Sequence, residues 1–166
     1  MKPSHLSLER RYKMHPLLYI LIAFVFAIGF ILILLKYFEL KQRKTLIKKL
    51  NKIGKLQKSS SPSYDYLLMI DNRTIKVRFI YMGSKRSISF NSIAHWQLHP
   101  SNKPKMINPK NFHLEKGLKL IIVYPTPTKM VKYINENEIV FVKPDELCFD
   151  YYVITSNELE TIKEIV

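Results

Sequence analysis

Two histidines with the spacing of metal ligands are the residues of this chain most suggestive of chemistry. His95 and His99 form an H-x3-H pair, and His113 and Cys148 could in principle complete a zinc site. Histidines at this spacing suit zinc when both lie on the same face of a helix. Pro100 and the strand-forming residues around the pair argue against a helix, so we expect no metal site.

Other signatures of catalysis or cofactor binding are missing from the sequence. It contains no GxGxxG, GxSxG, Walker or HExxH motif. With four glycines in 166 residues, a glycine-rich loop that cradles a phosphate is scarcely possible. Trp96 and the ten tyrosines would suit stacking on nucleic-acid bases, but aromatic residues more often build a core. We therefore expect no cofactor and no complete catalytic set.

The elements that position the remaining polar residues begin with an apolar run. Residues 17–35 are nineteen apolar residues without a charge, or about 28 Å of helix, close to the ~30 Å hydrocarbon core of a bilayer. The run also lacks the polar stripe that the core helix of a soluble protein would show. A cleaved signal peptide would have a shorter apolar region and a better cleavage site. We interpret residues 1–16 as a short tail and residues 17–37 as an uncleaved transmembrane helix.

Basic residues on the two sides of the apolar run predict its orientation. Four Lys or Arg residues precede the run, and eight follow it within residues 36–55. Because the basic excess faces the cytoplasm, we expect a single-pass protein of the cell membrane with a cytoplasmic C-terminal portion. Arg10 and Arg11 oppose this orientation, since they would have to cross the membrane. Cys148 is the only cysteine, which fits a reducing compartment.

The positive charge of the chain lies mostly beside the apolar run. The net charge is +14, of which residues 1–63 carry +11 and residues 64–166 carry +3. Basic residues next to a membrane are attracted to anionic headgroups by about 1 kcal/mol each. The charge therefore favours the lipid bilayer and its anionic headgroups as partners, while binding to nucleic acid stays an open alternative.

Residues 38–58 predict a basic amphipathic juxtamembrane helix. Leu46, Ile47 and Leu50 recur at helical spacing on one face, and lysines occupy the other. Such a helix packs on the following domain, docks on headgroups or pairs with a second copy. The candidate membrane-surface residues are Lys41, Arg43, Lys44, Lys48, Lys49 and Lys52.

A serine-rich linker, residues 59–63, precedes a domain over residues 64–166, which is long enough for one core. Alternating and continuous apolar patterns, with turn and capping residues between them, define its elements. They are strands at 64–70, 74–82, 87–91 and 118–124, a helix after Thr126, strands at 139–142 and 149–154, and a helix after Thr155. This order predicts an α/β domain with one mixed sheet, made of antiparallel hairpins and a βαβ unit and covered by helices.

Residues 100–116 predict a long basic loop, because three prolines exclude regular structure there. Long loops in small domains are often functional. We therefore consider Lys103, Lys105 and Lys110 a candidate contact surface, with an idle solvated loop as the alternative.

The order helix, three strands, helix, strand over about residues 44–143 resembles the restriction-endonuclease-like (PD-(D/E)xK) fold. In that superfamily an Asp on one strand and an acid-x-Lys motif on the next bind a divalent metal and activate water. The resemblance places Asp65, in YDYLL, and Lys76, in RTIKV, at these positions. Thr74 stands where the second acid is expected, and Asp71 would have to replace it from a turn. The resemblance thus implies a degenerate, binding-only version of the fold.

Three functional interpretations remain open. The leading one is a membrane-anchored cytosolic domain that acts as a non-catalytic binding module for an unknown partner. The second is a membrane-tethered nuclease that uses Asp65, Asp71 and Lys76. The third is a membrane-associated binder of nucleic acid or anionic lipid that uses residues 36–58 and the loop at 100–116. The oligomeric state is not indicated by the sequence.

Overall fold

The first element is a single long helix, α1 (Pro16–Ile53). A computed structural model describes residues 16–100 and 103–166, so the predicted tail lies outside the described residues apart from Pro16. The most apolar 18-residue window of α1 has a mean hydropathy of 3.1, and none of it is buried by protein. The helix is therefore long and apolar enough to cross a bilayer.

The second half of α1 belongs to the folded domain, because residues 39–166 form one compact unit. The predicted helix over residues 38–58 continues from the apolar run and ends at Ile53, not at residue 58. Gly54 explains this end, since a Cβ atom there would lie 2.4 Å from the carbonyl oxygen of Met69. Only glycine allows so close an approach, and the chain then continues as an edge strand at Lys55–Lys58.

Ten strands and two short helical segments make up the rest of the domain as far as the structure describes it. The strands are β1 (Lys55–Lys58), β2 (Tyr66–Ile70), β3 (Arg73–Tyr81), β4 (Ser87–Phe90), β5 (Trp96–His99), β6 (Lys105–Ile107), β7 (Leu118–Tyr124), β8 (Lys129–Asn135), β9 (Glu138–Phe141) and β10 (Tyr152–Thr155). The helical segments are a 3-10 turn at Phe112–Leu114 and a 3-10 turn at Leu159–Thr161 that leads into α2 (Ile162–Ile165).

The strands form two five-stranded mixed sheets, so the prediction of a single sheet is wrong. Sheet A has the order β1-β2-β3-β7-β10, and sheet B has the order β6-β5-β4-β8-β9. In sheet A, β7 pairs in parallel with β3 and β10. Each connection between these parallel strands is an excursion into sheet B, first as β4–β6 and then as the β8–β9 hairpin. The two sheets are therefore built alternately along the chain.

The predicted βαβ unit is also wrong. The segment expected to be a helix after Thr126 is β8, which pairs in parallel with β4 and antiparallel with β9. The apolar residues Met130, Val131 and Ile134 fit either structure, and strand partners on both edges decide for a strand. The flanking apolar strands, β7 and β9, lie in different sheets and do not pair.

Two apolar clusters show how the layers are arranged in residues 39–166. In one cluster Leu46 and Leu50 of α1 and Ile162 of α2 pack with one face of sheet A. In the other, the opposite face of sheet A packs with Phe90 and Trp96 of sheet B. Helical residues thus cover one face of sheet A, and sheet B covers the other, whereas the sequence predicts a covering by helices.

The predicted alternation of apolar and polar residues along β3 is confirmed at Ile75 and Val77, but the opposite face of the strand is also covered. Ile75 and Val77 belong to the cluster with the helices, as their spacing predicts. The pattern predicts that the opposite face meets solvent, but its Ile80 joins the cluster between the sheets, and Arg78 is only 7% exposed. Lys76 and Arg78 of this strand therefore lie on the face that meets sheet B, whereas Thr74 at its start is exposed.

The remaining segments are more ordered than predicted. The expected basic loop contains β6 and a 3-10 turn whose Phe112 is fully buried, while residues 101 and 102 lie outside the described part. Only one half of the predicted capping box is present: the backbone N–H and the hydroxyl of Thr155 both donate to Glu158 Oε2 at 2.8 Å, but no described side chain caps the 3-10 turn, which begins at Leu159. The helix that follows it is short and begins as a 3-10 turn.

Candidate functional site

Asp65 connects α1 to sheet A. Its Oδ1 accepts a hydrogen bond from Arg43 Nη2 at 2.8 Å, and its Oδ2 accepts one from the backbone N–H of Phe79 at 2.8 Å. The Arg43 guanidinium also lies 5.4 Å from the centre of the Phe79 ring. Both carboxylate oxygens are therefore engaged by a helix and a strand that they hold together.

Lys76 and Asp71 do not join Asp65 to form a metal site. Lys76 Nζ donates to Glu115 Oε2 at 2.6 Å and lies 5.5 Å from the centre of the Tyr64 ring. Asp71 lies in the turn at the far end of the β2–β3 hairpin, where it lines a surface cavity of about 550 Å³. Asp65 and Asp71 flank the five residues of β2, so six residue steps separate them by about 20 Å at ~3.3 Å per residue. Their carboxylates therefore cannot share one cation.

The histidines and Cys148 are likewise apart. Within the described residues no three His, Cys, Asp or Glu side chains converge as metal ligands. His99 Nε2 lies 2.8 Å from the buried Ser89 Oγ, and His95 Nδ1 lies 2.9 Å from Ser92 Oγ. Cys148 is buried, and burial raises the pKa of its thiol to about 12, which keeps it protonated and inert.

Sequence reasoning missed a charged cluster between the sheets, which we call the inter-sheet cluster. Its members come from β3, β7, the 112–116 segment and the turn before β10. They are Lys76, Arg78, His113, Glu115, Lys119, Asp150 and Tyr151.

Arg78 is a buried charge of the inter-sheet cluster, with three backbone carbonyl groups as acceptors. Its Nη1 donates to the carbonyl oxygens of Ser63 and Pro109, each at 2.6 Å, and its Nη2 donates to that of Asn108 at 2.9 Å. The guanidinium lies 5.7 Å from the centre of the Trp96 ring. Burial lowers the pKa of Arg78 from its usual value, although the negative charge of Asp65 acts in the opposite direction. The guanidinium thus binds the 59–63 segment, the 105–110 segment and sheet B to one strand of sheet A.

Lys119 forms the second centre of the cluster, directly beside Lys76 in the β3–β7 register. Its side chain is 4% exposed and donates to His113 O at 3.1 Å and to Asp150 Oδ2. Three buried atoms near it have no hydrogen-bond partner within the described residues. They are His113 Nδ1, Asp150 Oδ1 and Tyr151 OH.

The chemistry of this cluster is structural. Two of its three cations pair with carboxylates, and the third, Arg78, donates to backbone carbonyls. Its buried unpaired atoms are the kind of groups that ordered water satisfies. Burial raises the pKa of Tyr151, so its hydroxyl stays protonated at neutral pH. In Glu115 hydrogen bonding outweighs burial. Hydrogen bonds from Lys76 and then Ser63 lower the pKa of its carboxyl group below 4.5.

Comparisons with known proteins add no assignment. No protein-family model, curated protein or solved structure matches the chain. Arguments about its function therefore depend on its own surfaces.

Two surfaces of the domain are exposed enough to contact a partner. On α1, Lys41, Lys44, Lys48, Lys49 and Lys52 are exposed, whereas Arg43 of the same candidate set is held by Asp65. On the β8–β9 hairpin, Ile134, Ile139 and Phe141 are 56%, 48% and 68% exposed. The predicted contact residues Lys103, Lys105 and Lys110 are exposed as well.

Arg78 could have been found from one signal in the sequence. Ile80 and Met82 continue the face of β3 on which Arg78 lies, so apolar residues occur on both faces at that end of the strand. A strand with two apolar faces is covered on both sides. The partners of Arg78 could not be found in this way, because they are backbone carbonyls in irregular segments.

Replacing Arg78 with lysine tests the guanidinium contacts. Arg78→Lys keeps the charge but cannot donate to three carbonyl groups in a planar fork, so we expect a loss of roughly 2–4 kcal/mol in the free energy of unfolding. Urea unfolding of the full chain in detergent, followed by emission of the single tryptophan, Trp96, measures it. Arg73→Lys, at an exposed position of the same strand, is the matched control. Equal losses in the two variants would contradict this role.

The lowered pKa of Glu115 predicts a pH dependence of stability. A carboxyl group whose pKa is lower in the folded state stabilises the protein above its unfolded pKa of about 4.5, and the contribution is lost as pH falls through the folded pKa. At pH 7 we expect Glu115→Gln to unfold at lower urea than the wild type, and the difference to shrink by about pH 3. Glu160→Gln, at an 87% exposed side chain, should show neither effect. A difference that does not change with pH would refute the assignment.

Proposed function

We propose that this chain is a single-pass membrane protein whose folded domain, residues 39–166, is a non-catalytic binding module on the cytoplasmic side of the cell membrane. The observation that carries the proposal is the uncovered apolar half of α1. An 18-residue window with no protein burial and a mean hydropathy of 3.1 needs an apolar environment, and a bilayer supplies one.

The cytoplasmic orientation is supported by the lysines that follow the apolar window. Lys41, Lys44, Lys48 and Lys52 are exposed on α1, so their charge is available at the membrane surface. Basic segments resist translocation and are attracted to the anionic cytoplasmic leaflet. The same residues therefore favour both the orientation and a contact with anionic headgroups.

The non-catalytic assignment is supported by the partners of the candidate catalytic groups. Asp65 is bound by Arg43, and Lys76 is bound by Glu115, so each has a structural role. Exposed apolar side chains at Ile139 and Phe141 are instead typical of a surface that contacts another molecule.

A reporter fused after Val166 tests the orientation. If the reporter at this position is a fluorescent protein that matures only in the cytosol, we expect it to fluoresce, because the basic excess holds the domain on the cytosolic side. Protease added outside intact cells should leave the domain uncut, and the same protease should digest it after the membrane is opened. Digestion in intact cells together with a dark reporter would overturn the proposed side.

The contact with headgroups predicts a dependence on charge and salt. A peptide of residues 36–58 should bind anionic vesicles more tightly than neutral ones, because each lysine near the surface contributes about 1 kcal/mol. Replacing Lys44, Lys48, Lys49 and Lys52 with glutamine should weaken binding to anionic vesicles, and high salt should have the same effect. Substituting only Gln42 and Asn51 is the control that leaves the charge unchanged. Binding that ignores charge removal and salt would rule this contact out.

A further inference from the structure

The outer edge of β9 carries unpaired backbone groups beside exposed apolar side chains. The backbone N–H of Val142 donates to Met130 O at 3.1 Å, across the β8–β9 pair. Because the backbone direction alternates along an antiparallel strand, Val140 also faces β8. The N–H and C=O groups of Ile139 and Phe141 therefore point away from the sheet, where no described strand follows β9.

Two other edge strands of the described sheets are protected, whereas β9 is not. β1 carries Lys55 and Lys58, and β6 begins with Lys105, and edge lysines discourage the addition of another strand. The sequence of β9 is Glu-Ile-Val-Phe, which has no lysine. Its Ile139 and Phe141 are 48% and 68% exposed. This edge is therefore suited to pairing.

We propose that β9 pairs antiparallel with β9 of a second copy of this chain, about a two-fold axis through Val140. In this register Ile139 lies opposite Phe141 of the second copy, so the backbone groups that point outward on each strand bond to each other. The contact is isologous, as closed dimers require.

Side chains on the outer face of sheet B match this register. Phe141 lies opposite Val131 in its own hairpin, and Ile139 lies opposite Tyr133. Across the paired strands these side chains form a row in the order Val131, Phe141, Ile139 of the second copy, Tyr133 of the second copy. The two-fold axis generates a second, identical row. Aromatic and β-branched neighbours of this kind stabilise cross-strand pairs.

Charges do not oppose the register. Glu138 lies opposite Val142 of the second copy, and Lys143 lies opposite Asn137 of the second copy. No like charges therefore face each other across the axis, whereas directly opposed like charges would destabilise the pair. Parallel pairing in register would place Glu138 beside Glu138 of the second copy, and repulsion between the two carboxylates disfavours it.

The pairing rests on the proposed membrane anchor. Four residues a strand bury less than the ~1,000 Å² expected for a stable interface in solution. Two copies anchored in one membrane meet at a high effective concentration and with the same orientation, so a weak contact suffices.

Cysteine cross-linking of the full chain in membranes tests the register. Val140 and its symmetry mate form a non-hydrogen-bonded pair with Cα atoms about 4.5 Å apart, within the range of a disulfide. After mild oxidation Val140→Cys should give a disulfide-linked dimer. Ile139→Cys, whose mates lie more than about 8 Å apart in this register, should give about tenfold less, as should Met106→Cys on the opposite edge of sheet B. Wild-type chain, whose Cys148 is 1% exposed, sets the background.

A second substitution separates pairing from random collision. Phe141→Lys in the Val140→Cys chain should abolish the dimer, because it places a charge in the apolar row, while unchanged Trp96 emission shows that the domain stays folded. Equal cross-linking at residues 106, 139 and 140, dimers that persist in the Phe141→Lys chain, or capture of a different protein at Val140→Cys would each overturn the proposal. These outcomes are independent of the reporter after Val166, so failure of the pairing is distinguishable from failure of the membrane orientation.

Discussion

The Arg78 guanidinium is the interaction on which the arrangement of the two sheets depends. It leaves β3 of sheet A and reaches three backbone carbonyls in two irregular segments, Ser63 on one side and Asn108 and Pro109 on the other. Trp96 and Phe112 lie over it at 5.7 and 5.9 Å. A buried cation without these acceptors would be costly, so the irregular segments are fixed by the need to satisfy it. The strands of the two sheets are thereby joined through residues that lie outside strands and helices.

Lys119 of the neighbouring strand β7 plays a similar part within the same cluster. Its ammonium holds the carbonyl of His113 and the carboxylate of Asp150, which belong to the segments before β7 and before β10. Lys76 adds Glu115 to this set. Three cations on one face of β3 and β7 thus bind residues in the long connections between strands. Buried charges paired in this way constrain where those connections can lie, because moving one partner away would leave a buried charge unpaired.

The sequence predicts the local elements of this protein better than their assembly. The apolar run, the alternation of Ile75 and Val77 and the capping pair of Thr155 and Glu158 are all found, because each depends on neighbours along the chain. The helix expected after Thr126 is a strand, because partners in β4 and β9 override a local pattern that fits both structures. The partner of Lys76 is Glu115, which lies 39 residues away, and no local pattern connects the two. Contacts between residues so far apart in the sequence cannot be predicted from local patterns.

The alternation of the chain between two sheets also determines when the domain can form during synthesis. The central pairing of β3 with β7 has to wait for residues 82–117, and the pairing of β7 with β10 has to wait for residues 125–151. Loops of this length cost conformational entropy before the strand contacts repay it, so folding of such a topology is slow compared with that of a helical bundle. Leu120 and Ile122 of β7 stay without their neighbours Tyr152 and Ile154 until the last strand has left the ribosome. The chain therefore exposes an incomplete sheet A until β10 has been synthesised.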